Sequence, residues 1–261
     1  MHTIATFWIG PRLRDFEHCC MRSWLAMGHP VKFFSYEPVA NVPPGVELCD
    51  AERILPRRVL FDEAPELDKK PFTRANIFRL AMLRRGEGVW CDSDYCMFRP
   101  LPAFTDILVG REQNGKLCNA ILWLPPEHEI LPAVLDAFQA RSVPPWSYAK
   151  TRWQLALVSL SGRTRKLSDY PKHQWGRHVL EYTVAKYGLE DQVKDYKAFY
   201  YPVIYDDTLF KPMDYQSIMA DPEVYGLHVF YKTPKAFAAA GPGSFVGWLK
   251  ATYGDTLEPE I

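Results

Sequence analysis

Two aspartates one residue apart, Asp92 and Asp94, interrupt the apolar run of "GVWCDSDYCMFRPL" between Cys91 and Tyr95. A chain rarely leaves carboxylates in a core without a partner. In an extended chain residues i and i+2 point to the same face, about 6 to 7 Å apart. If the strand continues through them, both carboxylates aim at one point. Two oxygens so placed suit a hard divalent cation such as Mg²⁺ or Mn²⁺, which completes its shell with water and substrate phosphates. The other reading is a solvated turn in which one aspartate caps the next element. The triplet alone leaves both open.

Upstream, in "TRANIFRLAMLRRGEG", Asn76 and Arg79 are spaced i, i+3 and share a helical face. Ile77, Leu80, Ala81 and Leu83 supply apolar surface around them. The helix thereby presents an amide and a guanidinium beside the strand end that carries the aspartates. Arginine offers five donors in a fixed fork, suited to hydroxyl or phosphate oxygens; an ordinary surface ion pair is the alternative.

The elements that must position these residues alternate. Ile4–Ile9, Val31–Tyr36 and Val46–Cys49 read as strands, with a helix over Phe16–Met27 ended by Gly28-His29-Pro30. Phe72–Arg85 is the clearest helix, closed by Gly86-Glu87-Gly88. Ile107–Gly110 and Cys118–Leu124 read as strands, and His128–Arg141 as a helix. Ser142–His173 is basic and poorly patterned. Trp175–Tyr187 reads as helix, Phe199–Tyr205 and Tyr225–Tyr231 as extended, and Ser244–Tyr253 as an aromatic helix. This alternation predicts one α/β domain over residues 1–261, with a central, mostly parallel sheet.

Composition narrows the classes. Lys plus Arg (31) equals Asp plus Glu (31), so no overall field draws the chain to nucleic acid. The aromatic share, 14%, permits stacking on nucleobases or sugar faces as well as core packing. There is no apolar window of bilayer-spanning length and no signal-like N-terminus, so the expectation is a cytoplasmic protein without a transmembrane segment. "SFVGWLKATYG" could meet a membrane at its periphery, or pack inside. Six cysteines lack zinc-ribbon spacing and read as reduced core thiols; a soft metal site at Cys91 and Cys96 is the alternative. His178 and Glu181 share a helical face, but no companion histidine sits at a metalloprotease spacing.

"NIFRLAMLRRGEGVWCDSD" resembles the signature of DxD glycosyltransferases related to yeast initiating α-1,6-mannosyltransferases and α-1,4-galactosyltransferases. Arg79, Gly88, Trp90, Asp92, Asp94, Arg99 and Pro100 fall on that pattern in register. Ala75-Asn76 replaces its Ser-Asp and Glu87 its first glycine; the Asn-x-Phe-Arg form is similar to bacterial members of polysaccharide synthesis.

The resemblance implies a GT-A-type, Rossmann-like fold, a nucleotide-sugar donor (UDP-sugar favoured), a Mn²⁺ or Mg²⁺ ion and retention of anomeric configuration. Donor binding is then expected over about 1–125, with an acceptor-facing and C-terminal part over about 126–261. It further implies Asp92, Asp94 and His228 as metal ligands, with Asp92, Asp94 and Arg79 as the catalytic set. Trp8, Ile9, Gly10, Tyr36, Asn76, Arg79, Asn119 and Lys232 are implied at the substrate. Trp175-Gly176 matches a Gly-Pro site in which Arg177 replaces proline. The acceptor would be a glycan or lipid-linked hydroxyl, anionic if the basic 142–173 segment faces it. A metal-dependent nucleotidyl or phosphoester enzyme, and a binding module of the same fold without turnover, stand as the other readings.

Overall fold

The computed structural model describes residues 1–69, 71–200, 208–229 and 234–257. β1 (Ile4–Phe7) is buried along its whole length and ends before Gly10, which takes φ +131°. α1 (Asp15–Ala26) starts with Asp15 and Glu17, favourable at the positive end of a helix dipole, and stops at Gly28 (φ +82°). β2 (Val31–Ser35) and β3 (Glu47–Asp50) follow, then a single turn, α2 (Arg57–Leu60). α3 (Pro71–Arg84) opens on a proline, whose fixed φ suits a first helical residue. β4 (Val89–Cys91) and β5 (Tyr95–Met97) flank the aspartates, and β6 (Leu108–Arg111) and β7 (Leu117–Trp123) form the far side of the sheet.

The six-stranded sheet has the order β3-β2-β1-β4-β7-β6, all pairs parallel except those made by β7. This is the mostly parallel α/β sheet expected. Alternation along the strands sorts side chains to two faces. Ala5, Phe7, Phe34 and Trp90 meet Ile77, Phe78 and Leu80 of α3, with Phe7 and Phe78 stacked at 3.9 Å. Ile4, Phe33 and Val89 meet Met21 and Trp24 of α1 on the other.

The second half covers this sheet. α4 (Ile130–Ala140), α5 (Ala149–Leu160), α6 (Arg177–Tyr187) and α7 (Tyr196–Tyr200) precede α8 (Tyr215–Ala220), β8 (Gly226–His228), α9 (Pro234–Ala239) and α10 (Phe245–Tyr253). β8 pairs antiparallel with β5 in a separate two-stranded ladder.

Three expectations change. The basic 142–173 segment carries a full helix, α5, that was missed because only Thr151 and Leu155 are buried along it. A core face that small leaves no apolar stripe on the inward side of the helix. Phe199 and Tyr200 lie in α7 rather than in a strand; the rest of that stretch, 201–205, is outside the described residues. Of the stretch 225–231 expected to be extended, β8 covers Gly226–His228, and 230–231 lie outside the described residues.

The C-terminal helix packs inside: Phe245, Val246 and Leu249 of α10 are buried with Phe16 and Cys20 of α1. All six cysteines are buried free thiols, and burial pushes the Cys91 and Cys96 thiols up, Cys96 to about 12. Such thiols are inert and poor metal ligands.

Candidate metal and donor site

β1 runs to β2 on one side and pairs with β4 on the other. The strand order therefore reverses between β1 and β4, and in open α/β sheets ligands lie beyond the carboxyl ends of strands at such a switch point. Trp8 follows β1 and Asp92 follows β4, so both emerge there.

The strand does not continue through the aspartates. Asp92 N–H still bonds Ala120 O of β7 at 2.7 Å, and Tyr95 N–H then closes a turn onto Asp92 O at 3.0 Å. The turn nevertheless brings both carboxylates to one place. The third member comes from far along the chain: β5–β8 pairing sets Tyr95 opposite His228, and Asp94 O accepts from Val229 N–H at 3.1 Å. His228 Nε2 lies 3.1 Å from Asp94 Oδ1 and 3.8 Å from Asp92 Oδ2. One ligand atom from each of the three lies within 4.8 Å of the others.

These residues fit a divalent cation. An octahedral ion with bonds of about 2.0–2.1 Å holds neighbouring ligands roughly 3 Å apart, close to the spacing of His228 and Asp94. Two carboxylate oxygens and one imidazole nitrogen suit Mn²⁺ or Mg²⁺ better than a thiophilic ion.

Arg79 holds this group from behind. Its side chain is only 4% exposed, and it donates through Nη2 to Asp92 Oδ1 at 2.6 Å and through Nη1 to Asn76 Oδ1 at 2.9 Å. The guanidinium lies 4.5 Å from the Trp90 ring centroid, and Trp90 Nε1 donates to the same Asp92 Oδ1 at 2.6 Å. With Oδ1 held by two donors, Oδ2 is the oxygen turned toward His228. The i, i+3 spacing on α3 thus makes Arg79 and Asn76 a bonded pair, with Asn119 Nδ2 of β7 donating to the same Asn76 oxygen at 2.9 Å.

Before this group opens a cleft of about 540 Å³. Trp8, Ile9, Asn76, Arg79, Asn119 and His228 line it with both aspartates. Two polar atoms of cleft-lining residues, Arg79 Nε and Thr6 Oγ1, are buried without a protein partner. Gly10 and Tyr36 do not line it; Tyr36 donates its hydroxyl to Leu55 O at 2.7 Å and its ring edge meets Phe7 and Phe61. Lys232 is outside the described residues.

A further part of the lining comes from the end of the basic 142–173 segment and the start of α6. Lys172, His173 and Arg177 line the cleft with Glu112 and Phe72. Arg177 donates to Leu117 O and to the buried Glu112 carboxylate, both at 2.9 Å. Burial, reinforced by Arg177 and Lys172, holds the His173 pKa below its usual 6.5. Gly176 lies on the Asn76–Asn119 pair: a Cβ there would come within 2.9 Å of both amide nitrogens. The signals in the sequence were the basic 142–173 segment, which ends in Lys172 and His173, and the Trp175-Gly176 match. His178 and Glu181 make no metal site, since Tyr148 takes the Glu181 carboxylate at 2.6 Å and packs on the His178 ring.

No protein-family model matches the chain, and no curated protein matches it. Among solved structures, a PaToxG glycosyltransferase is 13% identical, with a TM-score of 0.41 over 68% of this chain and 84% of that one. A likeness that slight carries neither fold nor activity over to this chain.

Proposed function

We infer that the chain is a GT-A-type, metal-dependent glycosyltransferase that moves a sugar from a nucleotide-sugar donor to an acceptor hydroxyl. The carrying observation is the convergence of Asp92, Asp94 and His228 at the switch point, beside a polar cleft. A divalent ion held there would neutralise the charge that builds on a leaving diphosphate. Arg79 and Trp90 fix Asp92 in one orientation before any ligand arrives, so no reorganisation is needed at the moment of reaction. Asn119 and Asn76, joined by the Asn119 Nδ2–Asn76 Oδ1 bond, present their amides to the donor sugar.

Trp8 and Ile9 line the cleft after the end of β1, where the nucleotide would seat; Lys232, outside the described residues, is proposed to neutralise the diphosphate. UDP is the nucleotide proposed, and retention the stereochemical course. Of the cleft carboxylates outside the metal group, Glu112 is engaged by Arg177 and Asn114. That engagement fits a reaction without a side-chain nucleophile. Residues 1–125 would hold the donor, and the wall at Lys172, His173 and Arg177 would meet a glycan or lipid-linked acceptor.

Calorimetric titration of UDP and GDP, with Mn²⁺ and then with chelator, tests this reading. Metal-dependent binding of one nucleotide is the expected result; binding of neither, or binding indifferent to chelator, overturns it.

A further inference from the structure

We propose that the exposed face of α5, with the basic rim around it, docks on an anionic lipid bilayer. Trp153, Leu157 and Leu160 are 72%, 59% and 82% exposed. Their i, i+4, i+7 spacing sets them on one helical face, opposite the Thr151 and Leu155 that hold the helix to the body. Other large exposed apolar side chains, such as Leu48 and Met1, lie on separate elements and are of the scattered kind that needs no explanation.

Charge selects the occupant. From Arg141 to Ser168 the chain has no acidic residue and six basic ones: Arg141, Lys150, Arg152, Arg163, Arg165 and Lys166. Arg163 pairs with Asp169 at 3.0 Å and Arg141 approaches Glu66 at 3.9 Å. Lys150, Arg152 and Arg165 have no carboxylate at ion-pairing distance among the described residues. Immediately past Leu160 lies a surface depression of about 420 Å³ lined by Arg141, Arg163 and Arg165 with Ser159 and Thr164. Guanidinium forks and hydroxyls in a concavity suit a phosphate headgroup, while the neighbouring Trp and Leu side chains suit the acyl boundary. A helix with a Trp/Leu face flanked by Lys and Arg lies in the plane of a membrane interface. A protein partner would meet the same apolar stripe without needing an uninterrupted run of one charge sign.

The chain leads from this rim through Leu167–Asp169 to Lys172 and His173 in the cleft wall, so docking would bring that wall close to the bilayer. The docking itself does not depend on the glycosyl-transfer reading.

Co-sedimentation of the whole chain with phosphatidylcholine vesicles, with and without phosphatidylglycerol, tests the proposal. Binding to the anionic vesicles alone is expected, weakened as salt rises from roughly 0.1 to 1 M and the Debye length falls from about 10 to 3 Å. Trp153→Ser with Leu160→Ser, both at exposed positions, should lower the partition coefficient roughly tenfold or more. Lys150→Gln and Lys166→Gln should lower it roughly fivefold each. Unfolding midpoints and Mn²⁺-dependent nucleotide binding should match wild type in all three variants, which separates this result from the fate of the donor site.

Failure of the wild type to sediment with anionic vesicles, or equal partition by the Trp153→Ser/Leu160→Ser variant, overturns the proposal. So does a concentration-dependent oligomer that the variant dissolves while vesicles have no effect, since the face would then belong to a second copy.

Discussion

Trp90→Phe isolates one of the two bonds that orient Asp92. The indole Nε1–H donates to Asp92 Oδ1 at 2.6 Å, alongside Arg79. Phenylalanine keeps a ring beneath the guanidinium but has no donor. A hydrogen bond to a charged group contributes about 1.5–3 kcal/mol. The Asp92 side chain is 26% exposed, so water recovers part of the loss and the lower end, about 1.5 kcal/mol, applies.

The smaller ring also loses packing in a buried position, a cost that Asp92 does not share. A double-mutant cycle with Asp92→Ala cancels it, with Arg79 present in all four proteins. Urea unfolding of the set should return a coupling of about 1.5 kcal/mol. A coupling within the roughly 0.5 kcal/mol scatter of independent sites would refute the bond. In calorimetry the same Trp90→Phe protein, with Asp92 on one donor, should bind Mn²⁺ and nucleotide about 10- to 100-fold more weakly, the usual cost of losing a partner behind a metal ligand. Unchanged affinity would remove Asp92 orientation from the account of the site.

Asp94→Asn keeps the turn but removes a ligand charge, so Mn²⁺-dependent UDP binding should fall more than about 100-fold, beyond the cost of a lost outer partner; wild-type affinity by calorimetry would exclude Asp94 as a ligand. Gly226→Ala places a Cβ within 2.1 Å of Cys96 O, which forces β8 off β5 and carries His228 with it. It should cost about 3 kcal/mol or more, with weaker Mn²⁺ binding; a wild-type melting temperature would contradict the packing described.

His29 donates through Nδ1 to His2 O at 2.8 Å and accepts at Nε2 from Leu101 N–H at 3.1 Å, which requires the neutral ring. Burial holds its folded pKa below the 6.5 of the unfolded chain. The unfolded state therefore binds more protons between those two values. The contribution of His29 is complete above pH 6.5 and is lost as pH falls toward the folded pKa, at no more than about 1.4 kcal/mol per pH unit. His29→Gln should flatten the fall in urea midpoint between about pH 7.5 and 5.5; an unchanged slope would refute the assignment.

The local spacings carried much of the site. The i, i+3 relation of Asn76 and Arg79 and the i, i+2 relation of Asp92 and Asp94 survive as contacts, because helix and turn geometry act within a few residues. The expected strand through the aspartates does not; the carboxylates converge through a turn closed by Tyr95 N–H instead. α5 was illegible for the opposite reason. Its most apolar side chains, Trp153, Leu157 and Leu160, face outward, so periodicity could not mark an inward face. Tyr36 reads as a strand-end ligand residue, yet its hydroxyl is bound to Leu55 O, a partner 19 residues on.

By itself, then, the sequence determined the alternation of strands and helices and the sheet class, and put Asn76 near Arg79 and Asp92 near Asp94 through spacings of three and two residues. Only the tertiary structure decided which distant groups face them. His228 lies 134 residues from Asp94 and reaches it through the register of β8 on β5. Arg177 arrives 65 residues from Glu112 to close the other wall. Such meetings depend on the whole chain's packing, in which any one strand or helix can dock many ways until the core selects among them; no pattern within a few residues encodes the result.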